Sequence, residues 1–271
     1  MISIITDSSS NISQREAKEL GIIVMPLTII FGTTEYGDGV NLDCDEFYKK
    51  LTGAKEFPHT AQLSETQIEE AIKEAESLGD EIIILPIAAA LSGSFDRCRE
   101  VAKRHEKVYT FDTACTTVML KMLVLEALNH REKPAGEVVE ILRAYRKKLR
   151  LYAALDTLEY LGKGGRLSKT SAVLGTVLKI KPVVILAGDG KVELVSKQFG
   201  FNRSISYIAE HVDKNRIDYS KPVFLIYTMN DSNAELLISK IGASYSEKCN
   251  ICPVIGTHIG PDAAGFVYAE K

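Results

Sequence analysis

The chain has no excess of basic residues: 33 Lys and Arg stand against 36 Asp and Glu, a formal net charge of −3. That argues against a polyanionic partner, because nucleic-acid binders gather a basic surplus into a patch. Long hydrophobic runs are also missing. The most apolar stretch in the middle, Val118 to Leu128, is about half of the ~20 residues that cross a bilayer, so no integral membrane segment is expected. The opening MISIITDSSS has no basic start followed by a long apolar region, which predicts no signal peptide. Internal repeats and low-complexity stretches are absent. Cysteine is scarce, with five residues scattered along a chain too large to need stapling. An odd, dispersed set points to free thiols in a reducing compartment, the cytoplasm. No G-x-S-x-G nucleophile elbow occurs. Cys249-x-x-Cys252 lacks a second ligand pair for zinc and reads as running into Pro253 and a strand, unlike a redox motif at a helix start.

What is present is an ample core. Apolar residues make up 45% of 271 and charged residues 25%, enough for two domains and no sign of disorder. Ile2 to Ile5 reads as the first strand, and Glu81 to Ile87 is a continuous apolar run of the kind that forms a buried parallel strand. Ile22 to Phe31 reads as one strand, and Val108 to Phe111 as another. Ser13 with Glu16 and Ser64 with Gln67 are capping-box pairs that open helices, the first ending at Gly21 and the second near Gly79. After Lys133-Pro134 a helix ends in Arg146-Lys147-Lys148, and the pattern then changes. Leu151 to Leu155, Lys181 to Ala187 and Lys191 to Ser196 read as strands, the last two joined by the hairpin signal Gly188-Asp189-Gly190. Pro222 to Met229, a helix from Ala234, and strands near Ile251 and Phe266 follow. The reading is an α/β protein of two unlike parts: 1–150 with a parallel sheet, then 151–271 with a mixed sheet, some of 22–57 packing with the second part.

Three times a buried strand runs into a loop bearing Asp, Ser or Thr and then a helix. Ligands in open α/β sheets sit beyond the carboxyl ends of the strands, so these loops hold the candidate residues. Thr6-Asp7-Ser8-Ser9-Ser10 offers hydroxyls at a strand end, although turn chemistry explains such a cluster equally well. Thr60 and Ser92 each put a hydroxyl where a loop meets a helix, a place suited to an anion. From spacing alone, helix capping accounts for both. His258 lies between Gly256 and Gly260 in what reads as a loop, where it can donate to a carboxylate or serve as a structural histidine. Gly162 to Lys169 combines glycines with three cations but lacks Walker spacing; Arg166 within it is a candidate for anion or partner contact. The helix from Thr117 to His130 is apolar nearly all round and reads as core. A Ser92–His258 pair with Asp7 or Asp112 would make an esterase triad, and a third reading is an interaction protein whose cleft is closed core.

Taken in order, six segments resemble one family, the DegV proteins: TDSSS at Thr6, PHTAQLS at Pro58, LSGSFD at Leu91, FDTACTT at Phe111, LEYLGKGGRLSK at Leu158 and GTHIGPDAAG at Gly256. They span essentially the whole chain. The resemblance implies a three-layer α/β/α domain followed by a two-layer α/β domain, with a long-chain fatty acid between them. By position, Thr60 and Ser92 look like the hydroxyls that hold the carboxylate, beside Gly93, His258, Thr6 and Ser8. Arg166 looks like the arginine at the cleft mouth. Members of the FakB type hand the fatty acid to a separate kinase, FakA, so the resemblance implies a FakA-like fatty acid kinase as partner, no cofactor on this chain and no catalysis by it. The sequence departs from the family pattern at Ala61, Leu63, Gly260-Pro261-Asp262 and Phe199, the last standing where an arginine is usual, with Arg203 one helical turn later.

Overall fold

The computed structural model describes residues 1–167 and 180–271. In chain order its strands are β1 Ile2–Asp7, β2 Ile23–Met25, β3 Thr28–Phe31, β4 Thr34–Gly37, β5 His59–Ala61, β6 Glu81–Leu85, β7 Val108–Thr110, β8 Leu149–Ala154, β9 Ile180–Leu186, β10 Val192–Phe199, β11 Phe224–Tyr227, β12 Glu247–Asn250 and β13 Ala264–Ala269. Its helices are α1 Gln14–Leu20, α2 Cys44–Gly53, α3 Glu65–Ala75, α4 Ser94–Ala102, α5 Thr117–Asn129, α6 Ala135–Arg146, α7 Glu159–Lys163, α8 Phe201–His211, α9 Ser232–Ile241 and α10 Pro253–Ile259.

The first strand and the apolar run from Glu81 do pair in a parallel sheet, ordered β2-β1-β6-β7. Helices α3 and α4 pack on one face, and α1, α5 and α6 are gathered on the other. Both serines cap their helices, but only one of the two expected capping boxes closes, since the Glu16 carboxylate turns to Lys121. The Ser13 hydroxyl accepts the Glu16 N–H at 3.1 Å, and Ser64 and Gln67 close a reciprocal box. Gly21 ends α1 in the left-handed region. Within α5, the two charged residues that interrupt an apolar helix are both paired. Lys121 reaches Glu16 and Glu247, and Glu126 holds Lys221.

The second half builds a mixed sheet, β10-β9-β8-β13-β11-β12, in which only β11–β12 is parallel. Because strand side chains alternate between faces, this sheet serves two cores. Leu151, Val267 and Ile226 face the main core shared with the parallel-sheet half, while Ala154, Phe266 and Leu225 face a smaller core under α8 and α9. That explains strands buried at every position. The expected two unlike α/β parts are present. Among the described residues, no helix is long and apolar enough to cross a membrane.

Three local expectations change. The single strand over 22–31 is two strands, because Pro26 cannot donate to a ladder. Segment β2 stays in the parallel sheet, and β3 leaves it to pair with β4 and β5 in a small antiparallel sheet. Helix α2 follows, capped by Asp43, and the Tyr48 hydroxyl donates to the Ile251 carbonyl at 3.0 Å. Finally, Pro253 opens a helix instead of a strand, as its fixed φ permits at a first helical position. Cys249 and Cys252 therefore do bridge a strand end and a helix start. Both are buried free thiols, and burial pushes both pKa values up, away from the reactive thiolate.

Candidate functional site

The small sheet carries Thr60 to the seam between the two parts, in register with Ile29 at the middle of β5. Thr60 is thus a strand residue, and capping of the next helix falls to Ser64. His258 projects from α10, not from a loop, and its Nε2 lies 2.9 Å from the Thr60 hydroxyl oxygen. Its Nδ1 is buried without a hydrogen-bond partner among the described residues. A partnerless ring lone pair is cheaper to bury than a partnerless N–H, so we assign the proton to Nε2. That proton is donated to Thr60, which leaves the Thr60 hydroxyl hydrogen available.

Ser92 sits in the loop after β6, one residue before the α4 N-cap, Gly93. Its oxygen accepts the Ser94 N–H at 3.2 Å and lies 3.0 Å from the Ser94 hydroxyl. Gly93 lies close to Gln62: a Cβ there would meet the Gln62 side-chain oxygen at 2.0 Å and make that side chain swing aside. Arg166 donates from Nε to the Leu91 carbonyl at 3.0 Å and from Nη1 to the Gly164 carbonyl. Gly164 in turn packs on the His258 ring, where a Cβ would come within 2.3 Å of Nδ1. Ser168 and Lys169, at the end of the same glycine-rich run, lie outside the described residues.

These groups surround one cavity of about 290 Å³, close to the lower end of the usual range for small-molecule sites. Thr60, Ser92, Gly93, Arg166 and His258 all line it, with Leu27, Ile87, Leu161, Val254 and Ile259 among its apolar walls. Arg166 is the one cation among the described lining residues, and no carboxylate is among them. Burial lowers the Arg166 pKa somewhat. Burial first, then the Arg166 charge, lowers His258 to about 4, so the ring is neutral at pH 7.

Thr6 and Ser8 are not brought to this cavity. The Thr6 hydroxyl donates to the Leu85 carbonyl at 2.7 Å, and the Ser8 oxygen accepts the Leu27 N–H at 3.1 Å. They brace the wall from behind. With them lies a buried acid, Asp38, which the sequence pattern alone does not single out. It is 1% exposed, and neither carboxylate oxygen has a partner in full hydrogen-bond geometry among the described residues. Burial raises it to about 7, tempered by the Ser8 hydroxyl and the Val254 N–H, while Asp7 nearby is raised to about 6. Gln62 and Thr116 are lining residues also not singled out beforehand.

The geometry counts against a hydrolytic triad. Ser92 is engaged with Ser94 and His258 with Thr60, and no carboxylate among the described residues meets Nδ1. Asp7 accepts from the Ser9 and Ile87 N–H groups, and Asp112 from those of Ala89 and Ala114. Nor is the seam closed core. Among the described residues, no group of three His, Cys, Asp or Glu gathers as a metal site.

Fold and cavity together define a two-part α/β protein with an apolar pocket at the seam, its polar groups being hydroxyls, one neutral histidine and one cation. The whole chain, residues 1–271, matches the family model described as uncharacterised protein, DegV family, and the chain belongs to that family. A DegV domain-containing protein of Caldanaerobacter subterraneus is 31% identical over 284 residues, covering 100% of this chain and 99% of the relative. Among solved structures, the fatty acid binding DegV family protein SAG1342 of Streptococcus agalactiae superposes with a TM-score of 0.89 at 27% identity, covering 100% of this chain and 99% of that one. A fatty-acid-binding DegV family protein of Thermus thermophilus gives 0.87 at 26% identity, with 99% of each chain covered.

Proposed function

We propose that this chain binds a long-chain fatty acid in the seam cavity, with the carboxylate beside Thr60, Ser92, His258 and Arg166. The observation that carries the reading is the charge balance of the described wall: one cation, no acid, several neutral hydroxyl, amide or imidazole groups, and otherwise mostly apolar side chains. Such a wall suits a single anionic head on a hydrocarbon chain. The fatty-acid-binding relatives of Streptococcus agalactiae and Thermus thermophilus support it.

Burying about fifteen methylenes at ~0.8 kcal/mol each gives on the order of 10 kcal/mol before ordering costs. Affinity therefore comes from the chain, and the polar groups orient the head and satisfy its lone pairs. Thr60, with its hydroxyl hydrogen free, supplies one donor; Ser92 and Arg166 supply others. The carboxylate is held without a nucleophile poised against its carbon, as suits a carrier whose ligand is to be modified elsewhere. We propose a FakA-like fatty acid kinase as that partner, ATP belonging to the kinase.

Native mass spectrometry of the protein purified from a bacterial host tests the first claim. A co-purified long-chain fatty acid is expected, and a ligand-free spectrum after gentle handling would refute it. Thr60→Ala with Ser92→Ala should weaken retention at least tenfold, since a hydrogen bond to a charged group contributes about 1.5–3 kcal/mol. Unchanged affinity would show that the head group lies elsewhere.

A further inference from the structure

The cavity holds a polar group that the head-group cluster does not use. Thr116 lines the wall at the start of α5, is 8% exposed, and its Oγ1 is buried without a hydrogen-bond partner among the described residues. A threonine at an N-cap usually accepts an N–H from the helix's first turn; this one makes no such bond. Thr117 beside it is more deeply buried, and its hydroxyl also has no partner among the described residues. Helix α5 runs thirteen residues, so its first turn presents free N–H groups and a positive dipole end, both favouring an acceptor oxygen.

The loop is fixed in this arrangement. Asp112 accepts the Ala89 and Ala114 N–H groups, Thr113 donates to the Pro86 carbonyl, and the Ala88 N–H bonds Cys115. Ala114 (φ 46°) and Thr117 (φ 49°) occupy the left-handed region on either side of an extended Thr116. Such strain persists where surrounding contacts over-determine it. No hydrogen bond among the described residues joins Thr116 to the Thr60–His258 pair, to Ser92 or to Arg166.

We propose that Thr116 and the first turn of α5 form a second polar subsite that recognises a hydroxyl group carried on the acyl chain, so that hydroxylated long-chain fatty acids are the preferred ligand class. The inference rests on the fatty-acid reading of the cavity. A plain chain packs methylenes against a buried hydroxyl and leaves it unsatisfied, whereas a hydroxylated chain pairs with it. The difference for one neutral hydrogen bond is roughly fivefold to tenfold in affinity.

The test uses the full chain, freed of lipid, and displacement of a fluorescent fatty acid by octadecanoic acid and by a series of 2-, 10- and 12-hydroxyoctadecanoic acids. At least one hydroxy acid should bind about fivefold or more tighter than octadecanoic acid, a preference read on the wild-type protein without any substitution. Thr116→Val should abolish that preference and tighten octadecanoic acid, and Thr116→Ser should keep the preference. A merely structural Thr116 would lower the melting temperature without moving the ratio of the two affinities. Equal binding of all the acids by the wild type overturns the proposal, as does weaker octadecanoic acid binding by Thr116→Val, which would place the carboxylate itself at α5. If none of the acids displaces the probe, the fatty-acid reading falls together with it.

Discussion

Acidification should expose the cost of the buried His258 ring. The ring is mostly enclosed, lies beside the Arg166 charge, and titrates near 4 in place of 6.5. Above pH 6.5 neither the folded nor the unfolded chain protonates it. Between about 6.5 and 4 the unfolded chain takes up a proton that the folded site refuses, so stability falls as the pH falls. At 1.36 kcal/mol per pH unit the whole window amounts to about 3 kcal/mol, and the step from pH 7 to pH 5 to about 2 kcal/mol. Asp7 and Asp38 act in the opposite sense. Their folded pKa values, raised to about 6 and about 7, give a contribution present in acid and lost as the pH rises. The wild-type curve is therefore a sum of opposing terms, and the informative quantity is its difference from His258→Gln. Urea unfolding of both lipid-free proteins at pH 7, 6, 5 and 4.5 should show the variant gaining about 2 kcal/mol on the wild type by pH 5. A difference constant to about 0.5 kcal/mol over that range, well below the predicted change, would mean that the ring is not held neutral by its surroundings.

Two further substitutions follow from the same geometry. Asp38→Asn removes an ionisation that the folded state resists, so it should stabilise the protein progressively from pH 4 to pH 8, by up to about 4 kcal/mol, in the same urea assay; a gain independent of pH would contradict the raised pKa. Gly164→Ala places a methyl group against His258 Nδ1 and should cost about 1–3 kcal/mol of stability. It should also weaken octadecanoic acid binding by pushing the ring off Thr60, and calorimetric affinity equal to the wild type would show that the ring position does not matter.

The parallel sheet was legible because Ile2 to Ile5 and Ile82 to Leu85 are buried on both faces, with Ser3 the one polar residue among them. The same rule misled over 22–31, where the run is apolar throughout but passes from one sheet to another, with Pro26 the only mark of the break. Helix α10 was hidden because two glycines and a proline within eight residues, Pro253 to Gly260, look like a loop, although tertiary packing against Phe47 and Tyr48 requires Gly256. In the site, Thr60, Ser92, Gly93, Arg166 and His258 come from four distant segments and still converge. Thr6 and Ser8 do not join them, since a hydroxyl at a strand end can satisfy itself on neighbouring backbone. Asp38 was invisible for a related reason. An aspartate between two glycines usually marks a solvated turn, and only the packed fold buries it.

Strand β13 lies in the centre of the mixed sheet, between β8 and β11. Its neighbour β8 is made more than a hundred residues earlier, and β11 some forty earlier. During synthesis both must wait with open, hydrogen-bonding edges until residues 264–269 emerge, a state prone to mispairing. The mixed sheet is therefore completed late, and loss of the 264–269 strand would split it down the middle, not fray it at a margin.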